Sequence, residues 1–83
     1  MLAQYLEKVM ELAQYEIVED EKSYWGEIPG FQGVWAKHKT LPGCQRELRE
    51  ALSDWIAFRL RRGLDIPRVG RLDLNHVGDH AHA

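Results

Sequence analysis

The chain has 83 residues and a formal charge of −2, enough for one domain, and that charge excludes non-specific nucleic-acid binding by the whole surface. A domain of this size buries only about 60–65% of its unfolded surface, so its core is small and oligomerisation or partner burial is expected to support it. Its one cysteine, Cys44, excludes an internal disulfide and suits a reducing cytoplasm, and no apolar run approaches the ~18 residues of a membrane span, nor does a basic-then-apolar leader open the chain.

The first predicted element is an amphipathic helix over residues 2–13. Leu2, Leu6, Val9, Met10 and Ala13 recur at spacings of three and four, with Gln4, Glu7, Lys8 and Glu11 between them. The period then changes to two. In Tyr15-Glu16-Ile17-Val18-Glu19, Tyr15 and Ile17 share one face. Asp20-Glu21-Lys22-Ser23 is a polar connector of hairpin length, and Tyr24-Trp25-Gly26-Glu27-Ile28 resumes the alternation. Pro29-Gly30 is a turn: Pro sets φ near −65° at the first corner and Gly accepts φ > 0 at the next. A second glycine, Gly33, precedes a third strand, Val34-Trp35-Ala36-Lys37-His38.

A long helix is predicted over residues 41–62. Thr40 is its expected N-cap, Pro42 is tolerated in the first turn, and Gly43 weakens the start. Cys44, Leu48, Ala51, Leu52, Trp55, Ile56 and Leu60 form its apolar stripe. Gly63 is the expected left-handed stop, Leu64 folds back on the last turn, and Pro67 prevents resumption. A short fourth strand is expected at 71–74, and residues 75–83 form a flexible tail.

The predicted class is α+β, in the order α-β-β-β-α-β, with one domain over residues 1–74. The three consecutive strands form an antiparallel meander. The long helix crosses the sheet face made by Tyr15, Ile17, Tyr24, Ile28, Val34 and Ala36. Val18, Trp25 and Trp35 fall on the opposite face, where an apolar patch needs cover. The first helix, a second copy of the chain or another partner could each supply it.

Residues 15–67 resemble the N-terminal domain of HicB-family antitoxins. The resemblance rests on the first strand 15–19 with its acidic turn, the aromatic Tyr24, and Ile28-Pro29-Gly30-Phe31-Gln32-Gly33-Val34, where the family shows Pro, a small or acidic residue, Leu, Pro and Gly. It continues in Thr40-Leu41, Leu48-Arg49-Glu50-Ala51-Leu52 and Gly63-Leu64-Asp65-Ile66-Pro67. It implies a partial ribonuclease-H-like fold and a partner, a small HicA-type mRNA-cleaving toxin whose activity the complex suppresses. The chain departs from the family in having His38-Lys39 where Gly-Asp is frequent and Pro42-Gly43 where Glu residues are frequent. It is also too short for the C-terminal DNA-binding domain of many members, so direct DNA binding is not expected, and the leading helix 1–13 is expected to be an addition.

The candidate partner or oligomer interface is Val18, Trp25, Glu27, Phe31, Trp35 and Lys37, because tryptophans are enriched at binding hot spots. No catalytic, cofactor or metal residue is assigned, and the chain is expected to be a non-enzyme that forms a dimer or tetramer. Glu16, Glu27 and Asp54 would serve a two-metal nuclease only if they converged on one site. His76, Asp79, His80 and His82 are metal-capable, but they sit in the expected tail. Arg59, Arg61, Arg62, Arg68 and Arg71 concentrate positive charge late in the chain. They are assigned to helix-dipole complementation and to ion pairs with Glu50, Asp54 and Asp65, with RNA phosphates or an acidic partner as the competing role. The element order also suits a double-stranded-RNA-binding domain, but the long helix starts Leu41-Pro42-Gly43-Cys44-Gln45, without a cation until Arg46. Three functions therefore compete: a toxin-docking antitoxin module, a self-associating module without a toxin, and an RNA-binding or nuclease-like domain.

Overall fold

The change from helical to strand periodicity appears directly in the computed structural model, which describes residues 2–69. Helix α1 (Leu2–Met10) leads into strands β1 (Gln14–Val18), β2 (Ser23–Glu27) and β3 (Trp35–His38), and helix α2 (Leu41–Arg62) follows. The strands form a three-stranded antiparallel sheet in the order β1-β2-β3. The fourth strand expected at 71–74 and the tail 75–83 lie outside the described residues.

Local chemistry explains each junction. A single 3-10 turn, Glu19–Glu21, closes the first hairpin, with Lys22 in the left-handed region at φ 48°. The second connection contains two successive tight turns. Phe31 N donates to Ile28 O (3.1 Å) and Val34 N to Phe31 O (3.1 Å), with Gly30 and Gly33 at φ 85° and 91° in their third positions. That geometry favours glycine. Thr40 caps α2, its hydroxyl oxygen accepting from Gly43 N at 3.1 Å. At the other end Gly63 adopts φ 67°, and Leu64 N and Gly63 N donate to Arg59 O and Leu60 O, the bond pattern of a Schellman motif.

Helix α2 lies across β2 and β3. Cys44, Leu48, Leu52 and Ile56, at most 1% exposed, press onto Ile28, Val34 and Ala36, and α1 adds Tyr5, Leu6 and Val9 to the same core. Two glycines set how closely the layers approach. A Cβ on Gly26 would stand 2.8 Å from the Tyr15 ring and 3.1 Å from Cys44 Sγ, and one on Gly43 would overlap the His38 ring. Gly43 is therefore there to admit His38, rather than being merely a weak helix former. His38 is half-buried, and its Nδ1 accepts from Thr40 N at 3.1 Å, which ties the end of β3 to the cap of α2.

Four expectations about the core need correction. The first helix ends at Met10, not Ala13, because Gln14 already pairs with Glu27. Leu2 is exposed while Tyr5 is fully buried, its hydroxyl donating to Pro67 O, so the helix turns its Tyr5–Leu6–Val9 stripe inward. Ile17 is 63% exposed although it shares the helix-side face, because it lies at the end of β1, beyond the strands that α2 crosses. Leu60, expected in the apolar stripe, is exposed past the last buried turn of α2.

Candidate functional site on the open sheet face

Residues paired directly across an antiparallel sheet share a face, so the register settles which side chains meet. Tyr15, Gly26 and Ala36 lie in one line under α2. Glu16, Trp25 and Lys37 form the matching line on the opposite face, and Glu27 pairs with Trp35 beside them. Trp25 and Trp35 are therefore diagonal neighbours, and their rings stack with centroids 4.7 Å apart and an interplanar angle of 9°. Val18, half-buried, lies on the same face at the far end of β1.

No described element roofs this face. Helix α1 packs with α2, which removes it from the three possible covers, and Trp35 remains 52% exposed. The stacked indoles shelter part of each other and present one flat apolar surface. A depression of about 420 Å³ adjoins them, bounded by Glu27, Pro29, Gly30 and Gln32.

The charge around the patch is uneven. Lys37 is held by Glu21 from the 3-10 turn, so that cation is neutralised within the chain. Glu16 and Glu27 have no ion-pair partner among the described residues. The face is thus an aromatic plate with an acidic margin, suited to a partner carrying apolar and cationic groups.

Five of the six expected interface residues, Val18, Trp25, Glu27, Trp35 and Lys37, lie together on this face. Phe31 does not. It is 4% exposed, and its ring packs against Trp55 of α2 at 5.3 Å, so it is a core residue beneath the turn. Sequence reasoning misses the grip of Glu21 on Lys37, because a hairpin connector gives no sign of which way its carboxylates fold. Its signal is the sign pattern alone, an acidic turn facing a lysine two strands away.

The carboxylates that a nuclease would need do not converge. Glu16 and Glu27 are on the open face, whereas Asp54 is exposed on α2 across the sheet. Among the described residues no group of His, Cys, Asp and Glu could hold a metal ion. The histidines of the tail lie outside the described residues. No described helix is long and apolar enough to cross a membrane.

A family model described as UPF0150-like matches residues 4–67. The match takes in α1, so that helix is part of the matched unit and not an addition to it. Among solved structures, the crystal structure of TTHA0281 from Thermus thermophilus is similar, with 45% sequence identity and a TM-score of 0.82 over 88% of this chain and 90% of that one. No curated protein matches the chain.

Proposed function

Because the chain belongs to the UPF0150-like family, we propose that it is a HicB-like, antitoxin-type binding module whose open sheet face docks a small HicA-type RNA-cleaving toxin and blocks it noncovalently. The observation that carries this reading is the uncovered Trp25–Trp35 stack with Glu16 and Glu27 at its margin. An RNA-cleaving protein needs cationic groups to hold phosphates, and such a surface complements an acidic margin. Large flat aromatics make suitable anchors because they offer much contact area and lose little rotamer freedom on binding. On this reading the module carries out no chemistry of its own, acts in the cytoplasm, and leaves any operator DNA to another protein.

The test is inhibition of a HicA-type toxin from the same organism. RNA cleavage should fall with stoichiometric addition of the module. Trp35→Ser and Glu27→Lys should each weaken inhibition by about tenfold or more, in line with loss of a hot-spot side chain. Inhibition that both variants leave intact would sink the docking face, and no inhibition at excess would sink the toxin.

Self-association competes for the same surface, since a second copy could equally cover the indoles. Sedimentation velocity distinguishes the two. A homodimer or tetramer that dissociates on Trp35→Ser would place a second copy on the face. A wild-type chain that stays monomeric at every concentration would leave the face to a different partner.

A further inference from the structure

Four of the eleven Lys and Arg residues of this near-neutral chain, Arg59, Arg61, Arg62 and Arg68, are gathered at one end of α2 and just beyond it. Ion pairing does not account for it. The ion pairs among the described residues are Lys8–Glu11 and Lys37–Glu21, and none involves these arginines. Two of the four lie instead on aromatic rings. The Arg59 guanidinium is 4.8 Å from the Trp55 ring centroid, and that of Arg62 is 4.9 Å from Phe58. Each pair is spaced i,i+4, so the two stacks stand side by side along one flank of α2. Arg59 is fixed in place by its Nε, which donates to Asp65 O at 2.6 Å. Phe58 is 45% exposed, although its ring has no core to fill.

A groove of about 530 Å³ opens beside the first stack. Trp55 and Arg59 form one wall, Gly30 and Gly33 of the turns face them, and Asp65 and Gln32 supply polar edges. The two turn glycines have nothing within 4 Å of where a Cβ would stand, so the backbone there is open to a ligand.

We propose that this flank binds a single-stranded oligonucleotide. One base enters the groove against Trp55, a neighbouring base lies on the Phe58–Arg62 stack, and phosphates meet Arg61 and Arg68. Trp55 and Phe58 are three residues apart, about 4.5 Å of helix rise, a spacing that adjacent bases of an unpaired strand bridge. Base-on-aromatic stacking with arginine on the backbone is the way sequence-tolerant single-strand sites work. A duplex hides its base faces, and a chain of net charge −2 has no extended field to hold one. An acidic peptide would draw guanidinium groups into bidentate carboxylate pairs and would make no use of the half-buried Trp55–Arg59 stack or the exposed Phe58–Arg62 stack. This groove shares the turn residues Gly30, Gln32 and Gly33 with the depression beside the indoles but opens toward the flank of α2, and it does not depend on the toxin-docking reading.

The experiment is fluorescence anisotropy of labelled single-stranded RNA and DNA oligomers of about a dozen nucleotides, roughly the reach of a small single-strand site. The full-length chain should bind, with affinity falling between about 50 and about 200 mM salt as phosphate contacts are screened. The double reversal Arg61→Glu with Arg62→Glu should weaken binding by about tenfold or more. Phe58→Ser, on an exposed side chain, should weaken it about fivefold or more through lost stacking. A control reversal at the other end of α2, Arg46→Glu with Arg49→Glu, makes the same change in net charge and should alter affinity by less than about twofold. Circular dichroism checks that each variant is folded. The proposal is overturned by absence of binding at the lower salt, by equal losses in both double reversals, or by poly-glutamate displacing the probe as well as unlabelled oligonucleotide does. The last result would identify an acidic protein as the occupant.

Discussion

Both faces of the sheet carry large apolar residues, and these end up in opposite conditions. Under α2, Ile28, Val34 and Ala36 meet Cys44, Leu48 and Leu52 so closely that two glycines are needed to admit the fit. On the other side, Trp25 and Trp35 stack on each other with no helix above them, and Trp35 is half in solvent. The closed face uses small aliphatic side chains, which interdigitate and fix a single arrangement. The open face uses large planar ones, which keep contact area available to another molecule. The difference is therefore one of cover: one face is matched to this chain's own helix, and no described element lies over the other.

Substitution should separate the faces most sharply. Leu52 is fully buried in the seam, and Leu52→Ala should lower the free energy of unfolding by about 2–5 kcal/mol, the cost of lost transfer energy plus a cavity. Trp35→Ser removes a larger side chain, yet it should cost only about 1 kcal/mol, the value of one aromatic stack. Urea unfolding of the two variants side by side is the measurement. Equal losses would mean that the indole face already contributes to the fold as a core does, and the comparison would collapse.

Gly26→Ala should have the next largest effect, and it sharpens the account of the closed face. The added methyl would stand 2.8 Å from the Tyr15 ring and 3.1 Å from Cys44 Sγ, closer than atoms tolerate without movement. A loss of about 1–3 kcal/mol is expected for overpacking of this kind. Replacing Cys44 with Ala in the same chain should recover part of it, because one of the two obstacles is then removed. A neutral Gly26→Ala would show that the seam relaxes freely and that the glycine is incidental.

How far the sequence reveals this arrangement depends on the range of the interaction. The strand alternation, the Pro29-Gly30 turn, the Thr40 cap and the Gly63 stop are local, each decided within about four residues, and each is found where its chemistry places it. The division of the indoles from the helix-side residues follows from alternation alone. Long-range fits are not legible. Tyr5 falls outside the expected apolar stripe because a hydroxyl counts against burial, and its acceptor, Pro67 O, is 62 residues away. Gly43 reads as a helix defect because nothing in its neighbourhood shows that the His38 ring occupies its side-chain space. Phe31 reads as a partner-face residue because a turn does not reveal which side of the sheet its tip falls on, and its contact with Trp55 crosses into another element.

The smallest expected effect is a pH dependence that originates in the closed face. Burial in the seam pushes the Cys44 thiol above its ordinary value of 9.0, and the charge of Glu47 adds to the shift. Burial likewise pushes the Tyr15 phenol above 10.0, with Cys44 adding. Both groups are neutral when protonated, so the folded chain holds these protons more tightly than the unfolded one. Stability falls with rising pH wherever the native state binds more protons. The contribution is fully present below pH 9.0, is lost as pH rises past that value toward the folded thiol's higher pKa, and falls further above 10.0 as Tyr15 begins to titrate. Urea midpoints measured from neutral to strongly alkaline pH should decline across that window. In Cys44→Ala the first part of the decline should disappear, and the part due to Tyr15 should remain but shrink, because burial still raises the phenol while the Cys44 contribution is gone. Trp35→Ser should leave the whole profile unchanged, since the open face contributes neither group. A profile that Cys44→Ala leaves unaltered would place the titrating group elsewhere and would remove the dry seam between Gly26 and α2 as its cause.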